Sequence, residues 1–365
     1  MLNKTVTIDE LRVLIPLISK QDKNNPNRDI TTIIQSEAGC GKTSILNMLK
    51  EDLGEDKYDF IYVDCPVMDY SDVQMTIPDK ETGQLKPYTG SMWKMDSLKP
   101  KVILLDEFMK APKMLQIMFT RLMLERTIGD TPLPDGSIVF ATSNNENEGL
   151  GDGMLAHARN RCCILQMKKP NAEEWLSWAN NNNINPYIKA FVDMTPKCFA
   201  SYRDDGQEDN PYIYNPKKPQ LAFASPRSIA KLSVIIDNKD VLGTNATLNA
   251  MEGTVGASFA GDFQAVLGLE KQLPGFTDIL KNPEQVEVPD NIQAQMILMF
   301  QATDKIKNQE DCSNFMKFVK RIPHNEVQAM FFSMVLKNKN TVGVASRNKD
   351  ITQWATANSF MYKEE

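Results

Sequence analysis

The sequence predicts an α/β protein built on a parallel five-stranded sheet, followed by a region of helices. Short apolar runs, typical of strands buried on both faces, occur at residues 30–34, 59–64, 101–105, 137–143 and 163–167. Segments long enough for crossover connections separate the runs, which favours parallel pairing. From residue 170 onward apolar residues recur at helical spacing instead. Because one core rarely holds 365 residues, we expect two domains, residues 1–168 and 169–365.

The first strand leads into a candidate phosphate-binding loop, within DITTIIQSEAGCGKTSILN at residues 29–47. Small residues there let backbone N–H groups turn toward phosphate oxygens, at the positive end of the following helix. In this arrangement Lys42 reaches the β- and γ-phosphates and Thr43 ligates Mg²⁺. The other residues expected to contact the nucleotide are Ser36, Glu37, Ala38, Gly39, Cys40, Gly41 and Ser44.

The loop departs at one position from the pattern G-x-x-x-x-G-K-[ST]. Ser36 stands where glycine is usual, so the turn must form without glycine's conformational freedom. Gly-Lys-Thr also occurs by chance in surface turns, and its place between a strand and a helix is what favours phosphate binding. Cys40 inside the loop could make binding sensitive to thiol modification.

Two carboxylates close the strand at residues 101–105. Asp106 and Glu107 follow the run KVILL about 65 residues after the loop, as in a Walker B motif. Ligands bind at the carboxyl ends of parallel strands, so both side chains should lie near the nucleotide. Asp106 would hold Mg²⁺, and Glu107 would orient or deprotonate the attacking water.

A polar residue follows the strand at residues 137–143. Asn144 could hydrogen-bond both the γ-phosphate and the attacking water through its amide. The alternative is that it caps a turn, a role open equally to Asn145 and Asn147.

Two arginines precede the last strand. Arg159 and Arg161 should lie far from the phosphates of their own subunit, which suggests an arginine finger inserted into a neighbouring subunit. We prefer Arg161 because it is next to the strand. A surface salt bridge is the alternative.

The helical region offers one candidate. Ser225, Pro226 and Arg227 begin a helix, with serine as N-cap and proline at the first position. A cation in a first turn is disfavoured by the helix dipole, so Arg227 could be kept for an anion, although an arginine with no role is common in helices.

The polar stretch at residues 201–219 is either flexible or a partner-binding loop.

A second stretch could contact a partner. Residues 70–88 contain two prolines, a glycine and a charged tip, and they predict an exposed hairpin or loop. Contact with a substrate and a solvated hairpin without a role are both open.

Composition limits the class of protein. No apolar run approaches the length of a membrane span and no signal peptide is recognisable, so we expect a soluble cytoplasmic protein. Six cysteines without a C-x-x-C pair, with only two histidines, do not indicate structural zinc. A net charge of −6 argues against a chain built mainly to coat nucleic acid, although a local basic patch remains open.

The motifs SEAGCGKT, VILLDEFMKAP, FATSNN, ARNRC and FASPRS, in this order, resemble those of AAA+ ATPases, and among them the MoxR clade. The resemblance spans about residues 30–236. It implies that Asn144 is sensor 1, Arg161 the trans-acting finger and Arg227 sensor 2. Residues 70–88 look like the clade's helix-2 insert, and residues 126–137 like its pre-sensor hairpin. Besides Ser36, Cys163 departs from the clade, which usually has a phenylalanine after the arginine.

The resemblance also implies partners. Proteins of this type use ATP and Mg²⁺, form hexameric rings and remodel or load partner proteins, often a von Willebrand factor A-domain protein. The composition after residue 240 suggests a phage-encoded member, which would act in the host cytoplasm. The alternative is a nucleic-acid motor or loader, with local positive charge from Lys110, Lys113, Lys168 and Lys169. A GTP-dependent switch ranks last, because no N-K-x-D sequence is present.

Overall fold

The computed structural model describes residues 5–25, 30–78, 80–144 and 160–357. The chain divides into two compact units, Met1–Lys169 and Pro170–Glu365. The first contains the sheet, and the second, in its described part, consists of helices and turns.

A six-stranded parallel sheet forms the centre of the first unit. Its strands are β1 Thr5–Val6, β2 Thr31–Ser36, β3 Asp59–Asp64, β6 Lys101–Asp106, β9 Ile138–Asn144 and β10 Cys162–Met167. Their spatial order is β1-β10-β2-β9-β6-β3. The expected fold class is confirmed as a parallel sheet flanked by helices, followed by a helical region. The sheet has six strands, not the five expected, because β1 adds to β10 at its edge. Two residues are too short a run to give a strand pattern.

Helices cover both faces of the sheet. They are α1 Ile8–Ile18, α2 Ser44–Leu53, α3 Tyr70–Val73 and α4 Lys113–Glu125, with 3₁₀ turns at Cys65–Val67, Ser91–Trp93 and Phe108–Lys110. Alternate strand residues separate the two cores: Ile33 and Leu105 pack with α4, whereas Ile34 and Leu104 pack with α1 and α2. This alternation follows from the two-residue period of a strand.

Helix α1 has a capping box at its start and a proline inside it. Thr7 and Glu10 form a reciprocal capping box, as the sequence Thr-Ile-Asp-Glu predicts. Pro16 lies inside the helix, which continues to Ile18.

Two hairpins leave the sheet. Strands β4 Gln74–Pro78 and β5 Leu85–Thr89 pair antiparallel, within the stretch where a hairpin or loop was expected. Strands β7 Thr127–Ile128 and β8 Thr131–Pro132 form the smaller one before β9.

The second unit packs its helices around two apolar clusters. The helices are α5 Ala172–Ala179, α6 Pro186–Met194, α7 Pro226–Asp237, α8 Lys239–Val255, α9 Ala257–Gly268, α10 Phe276–Lys281, α11 Ile292–Lys305, α12 Gln309–Val319, α13 Asn325–Lys337, α14 Val342–Ala345 and α15 Lys349–Ala357, with 3₁₀ turns at Pro196–Phe199 and Leu269–Gln272. The sequence predicts one helix over residues 251–269, but Gly256 adopts φ 86° and separates α8 from α9. No helix of the described residues is long and apolar enough to span a membrane.

The polar stretch at residues 201–219 contains turns and no helix or strand. It is anchored near its middle, because Tyr212 and Ile213 are buried in the apolar cluster formed with α6 and α9. Asn210 also donates to the carbonyl of Lys197 over 2.9 Å.

Candidate functional site

The loop between β2 and α2, the candidate phosphate-binding loop, contains two glycines with positive φ. Gly39 and Gly41 adopt φ values of 75° and 91°, in the left-handed region that favours glycine. A Cβ atom on Gly41 would lie 3.0 Å from Ser44 Oγ, so a side chain there would also be crowded. Helix α2 begins directly afterwards at Ser44, which brings its N-terminal end to the loop.

Lys42 turns back over this loop. Its ammonium donates to the carbonyl oxygens of Ser36 over 3.2 Å and Glu37 over 3.1 Å, and to Asn144 Oδ1 over 2.8 Å. The residue is 6% exposed. These three acceptors are uncharged carbonyl and amide oxygens. The charged oxygens of a phosphate would accept stronger hydrogen bonds from the same buried ammonium.

Ser36 causes no backbone strain. Ser36 is not among the non-glycine residues with positive φ in the described part of the chain. It is the last residue of β2 and pairs with Asn144. Its hydroxyl donates to Glu37 O over 3.0 Å and accepts from Lys42 over 3.2 Å. The structure therefore makes no use of glycine's freedom at this position.

Asp106 receives three hydroxyl hydrogens. Thr43 and Tyr62 each donate to its Oδ2 atom over 3.0 Å, and Thr142 donates to its Oδ1 atom. The three donors come from the loop, from β3 and from β9, and Asp106 is 7% exposed. These contacts satisfy the buried carboxylate and fix its orientation.

Glu107 lies next to this cluster in a left-handed conformation, with φ 51° and ψ 37°. Its backbone N–H donates to Thr142 Oγ1 over 3.2 Å. The side chain is contacted at both oxygens, by Lys110 Nζ at 2.7 Å and by Asn144 Nδ2 at 3.4 Å. Left-handed backbone is unusual for a residue with a side chain and is often found at functional sites.

The order of strands explains the convergence. β9 lies between β2 and β6, so Asn144 lies between the phosphate loop and the two carboxylates. Because the strands are parallel, Ser36, Asp106 and Asn144 all lie at carboxyl ends, at one edge of the sheet.

The residues present fit a magnesium nucleotide. Thr43 and Asp106 provide a hydroxyl and a carboxylate whose oxygens are 3.0 Å apart, and Mg²⁺ prefers hard oxygen ligands of this kind. The two left-handed glycines and the helix end beside them suit a polyphosphate.

Three contacts involve residues to which sequence reasoning assigned no site role. Tyr62 and Thr142 bind Asp106, and Lys169 Nζ lies 3.7 Å from Glu37 Oε2, with only 7% of its side chain exposed. Thr142 lies in the motif FATSNN, which was a usable signal. Nothing in DFIYVD distinguishes Tyr62 from a strand residue facing solvent.

Electrostatics keep Tyr62 a hydrogen-bond donor. Burial raises the pKa of its phenol, and the negative charge of Asp106 raises the pKa further. Burial and Asp106 likewise raise the pKa of the neighbouring Cys65 thiol.

Two predicted residues lie away from this cluster or outside its unit. Arg161 is exposed just before Cys162, which aligns with Thr31 at the start of β2, so it lies at the opposite edge of the sheet from its own phosphate loop. Arg227 is exposed in the first turn of α7 in the second unit, behind the capping serine Ser225. Arg159, Asn145 and Asn147 lie outside the described residues.

Comparisons with known proteins give only distant structural neighbours. No protein-family model and no curated protein match the sequence. A solved structure of a candidate ATPase from Cytophaga hutchinsonii is 16% identical, with a TM-score of 0.33 over 72% of this chain and 88% of that one. A RuvB variant from Thermotoga maritima is 13% identical, with a TM-score of 0.36 over 76% of this chain and 79% of that one. Because identity and TM-score are low, these likenesses assign no activity to this chain.

Proposed function

We propose that this chain is an ATPase of the AAA+ class that binds ATP and Mg²⁺ at the edge of its parallel sheet. The observation that carries this proposal is the hydrogen-bonded connection that runs from Lys42 through Asn144, Glu107, Thr142 and Asp106 to Thr43. These residues come from distant parts of the sequence and match, in type and place, what phosphate transfer to water requires.

The roles follow from chemistry and position. Lys42 would bind the β- and γ-phosphates, while Thr43 and Asp106 would hold Mg²⁺, which neutralises charge developing on phosphate oxygens. Glu107 would accept a proton from the attacking water. Asn144, in contact with both Lys42 and Glu107, would keep the base and the phosphate-binding cation in register.

The site would be completed by another subunit in a ring-shaped oligomer, most simply a hexamer. In support, Arg161 is exposed at the sheet edge opposite its own loop, so it is available to a neighbour and not to its own phosphates. A trans-acting arginine of this kind typically accelerates phosphoryl transfer by about 10³- to 10⁵-fold. Arg227 would act as a further phosphate-contacting residue.

The work done would be remodelling or assembly of a partner protein, in the manner of MoxR-type ATPases. The β4–β5 hairpin supports a protein partner, because Met75 and Tyr88 are cross-strand neighbours, each 50% exposed, and Ile77 on the same face is 43% exposed. Exposed apolar faces of this kind are typical of contact surfaces. A von Willebrand factor A-domain protein is one candidate partner, and the cytoplasm, of a host cell if the chain is viral, is the expected location.

The alternative, a nucleic-acid motor, has less support from the structure. Of the four lysines that give local positive charge, Lys110 pairs with Glu107, and Lys169 lies against Glu37 with little exposure. Stimulation of hydrolysis by single-stranded DNA, falling steeply with salt, would favour this alternative.

The decisive experiment measures ATP hydrolysis by the purified chain as a function of protein concentration. The proposal expects Mg²⁺-dependent turnover per subunit that rises as the oligomer assembles. Glu107→Gln protein in ATP should then retain the partner from a lysate, and the same protein in ADP is the control. Absence of ATP binding by the intact chain would refute the proposed activity.

A further inference from the structure

The hydroxyl of Tyr62 makes a contact that none of the proposed roles uses. It donates to Asp106 Oδ2 over 3.0 Å, the same oxygen that receives the Thr43 hydrogen over the same distance. Thr142 occupies the other oxygen. The carboxylate is therefore held by one hydroxyl on Oδ1 and by two on Oδ2.

The contact has a consequence for Thr43. As long as Asp106 Oδ2 accepts the Thr43 hydrogen, the lone pairs of Thr43 Oγ1 stay directed away from the carboxylate and can ligate a cation. A rotation of the carboxylate about its χ2 angle would end this arrangement. Both oxygens move together in such a rotation, so the bond from Thr142 to Oδ1 and the bond from Tyr62 to Oδ2 both oppose it. Tyr62 provides the restraint on the oxygen that faces Thr43.

The side chain of Tyr62 is only partly packed into the core. It lies on β3, at the edge of the sheet, and it is 45% exposed, whereas its strand neighbours Ile61 and Val63 are buried.

We infer that Tyr62 is a positioning residue for the metal half of the nucleotide site, holding Asp106 so that Thr43 presents its lone pairs to a divalent cation. This inference rests on the proposed function. It assigns Tyr62 no contact with the nucleotide, so its loss should weaken metal binding and leave metal-free nucleotide binding intact.

The test uses Tyr62→Phe in the full chain, with Mn²⁺ as the probe cation. Mn²⁺ affinity in saturating ATP is measured by electron paramagnetic resonance, and ATP affinity in EDTA by a fluorescent analogue. The hydrogen bond from Tyr62 to Asp106 exists in both the metal-free and the metal-bound state, so only the difference in its strength between the two states affects metal binding. We therefore expect Mn²⁺ affinity to fall about 3- to 10-fold. ATP affinity in EDTA should stay within about twofold of that of the unmodified chain.

Tyr212→Phe is the matched control. Tyr212 also donates its hydroxyl to a carboxylate, that of Asp262 in the second unit, so this substitution removes the same kind of bond away from the loop. It should leave both affinities unchanged.

Unchanged or tighter Mn²⁺ binding by Tyr62→Phe would overturn the inference. So would an equal loss of metal-free ATP binding, or a lowered Tm in EDTA with unchanged Mn²⁺ affinity, since either result indicates a structural role. If the unmodified chain bound neither ATP nor Mn²⁺ with ATP, the proposed function itself would fail.

Discussion

Lys42 and Asn144 are joined by a hydrogen bond of 2.8 Å between Nζ and Oδ1, although 102 positions separate them in the sequence. The contact links the phosphate loop to the end of β9, where Ser36 and Asn144 are paired residues of adjacent strands. Asn144 Nδ2 in turn lies 3.4 Å from Glu107 Oε1. One amide thus connects the cation that would bind phosphate with the carboxylate that would activate water.

This position of Asn144 predicts a defect in turnover more than in binding. Asn144→Ala removes the amide but leaves the loop backbone, so ATP affinity should change by less than about fivefold while kcat falls about 10- to 100-fold. Steady-state hydrolysis and equilibrium nucleotide titration measure the two effects. Asn182→Ala, an exposed asparagine of the second unit, is the control. Equal losses in kcat and affinity would contradict the connecting role.

Lys42→Ala should remove nucleotide binding. Its ammonium is the buried cation of the loop, and loss of a charge-assisted contact to phosphate should weaken ATP affinity at least about 100-fold. A fluorescent ATP analogue measures affinity, with circular dichroism as the check on folding. Lys99→Ala, which alters an exposed contact to the Glu55 carbonyl, should bind normally. A folded Lys42→Ala protein with near-normal affinity would place the nucleotide elsewhere.

The extent to which sequence predicted this site depends on the type of contact. Lys42, Thr43 and Asp106 lie in local motifs whose spacing reflects the loop and strand that hold them, so the sequence alone is enough to propose them as site residues. The strand order is a tertiary property, and it brings Asn144 between the phosphate loop and Asp106. From the sequence, only the position of Asn144 at the end of a strand was evident.

The residues that sequence reasoning missed show why it stops there. Tyr62 contacts Asp106 through a hydroxyl at the end of a partly exposed side chain, and the hydrophobic pattern of a sequence does not show where such a group points. Edge strand β1 is two residues long, and Gly256 ends a helix because its φ is positive, which its sequence context leaves open.

Glu107→Gln should separate binding from hydrolysis. The amide cannot accept the proton from water, so kcat should fall about 10²- to 10⁴-fold, while ATP affinity stays close to normal. Single-turnover hydrolysis and size-exclusion chromatography in ATP measure the loss and the accumulation of the ATP-bound oligomer. Glu125→Gln, which alters an exposed pair with Arg121, is the control. Unchanged turnover would show that another group activates the water.

A mixing experiment tests whether Arg161 of one subunit acts at the nucleotide site of a neighbouring subunit. Arg161→Ala alone should lower kcat about 10³-fold or more if the arginine acts in trans, and Lys42→Ala should be inactive. A mixture of the two should regain part of the activity, because an intact loop from the first variant can face an intact Arg161 from the second. A mixture of Lys42→Ala with the double variant Lys42→Ala/Arg161→Ala contains no subunit with an intact loop, so it should stay inactive. Activity of Arg161→Ala equal to that of the unmodified chain would exclude the finger.

The buried pair between α6 and α11 predicts a change in stability with a characteristic pH dependence. Lys189 is 0% exposed and lies 2.7 Å from Asp304 Oδ1. Burial lowers the pKa of Lys189, and the Asp304 carboxylate opposes that shift. Asp304→Asn leaves the buried ammonium without a counter-charge, so the free energy of unfolding, measured by urea titration at neutral pH, should fall by about 2–4 kcal/mol.

The same substitution should depress the pKa of Lys189 further. Between that value and the unfolded-state pKa of about 10.4, the unfolded chain binds more protons, so the stability of Asp304→Asn rises with pH in this window. The deficit relative to the unmodified chain should therefore be smaller at about pH 9.5 than at about pH 7. Asp209→Asn removes the charge from an exposed pair with Lys218 and should leave the urea midpoint unchanged. A deficit for Asp304→Asn that grew with pH would contradict this account and would mean that the Lys189 ammonium is solvated in the variant.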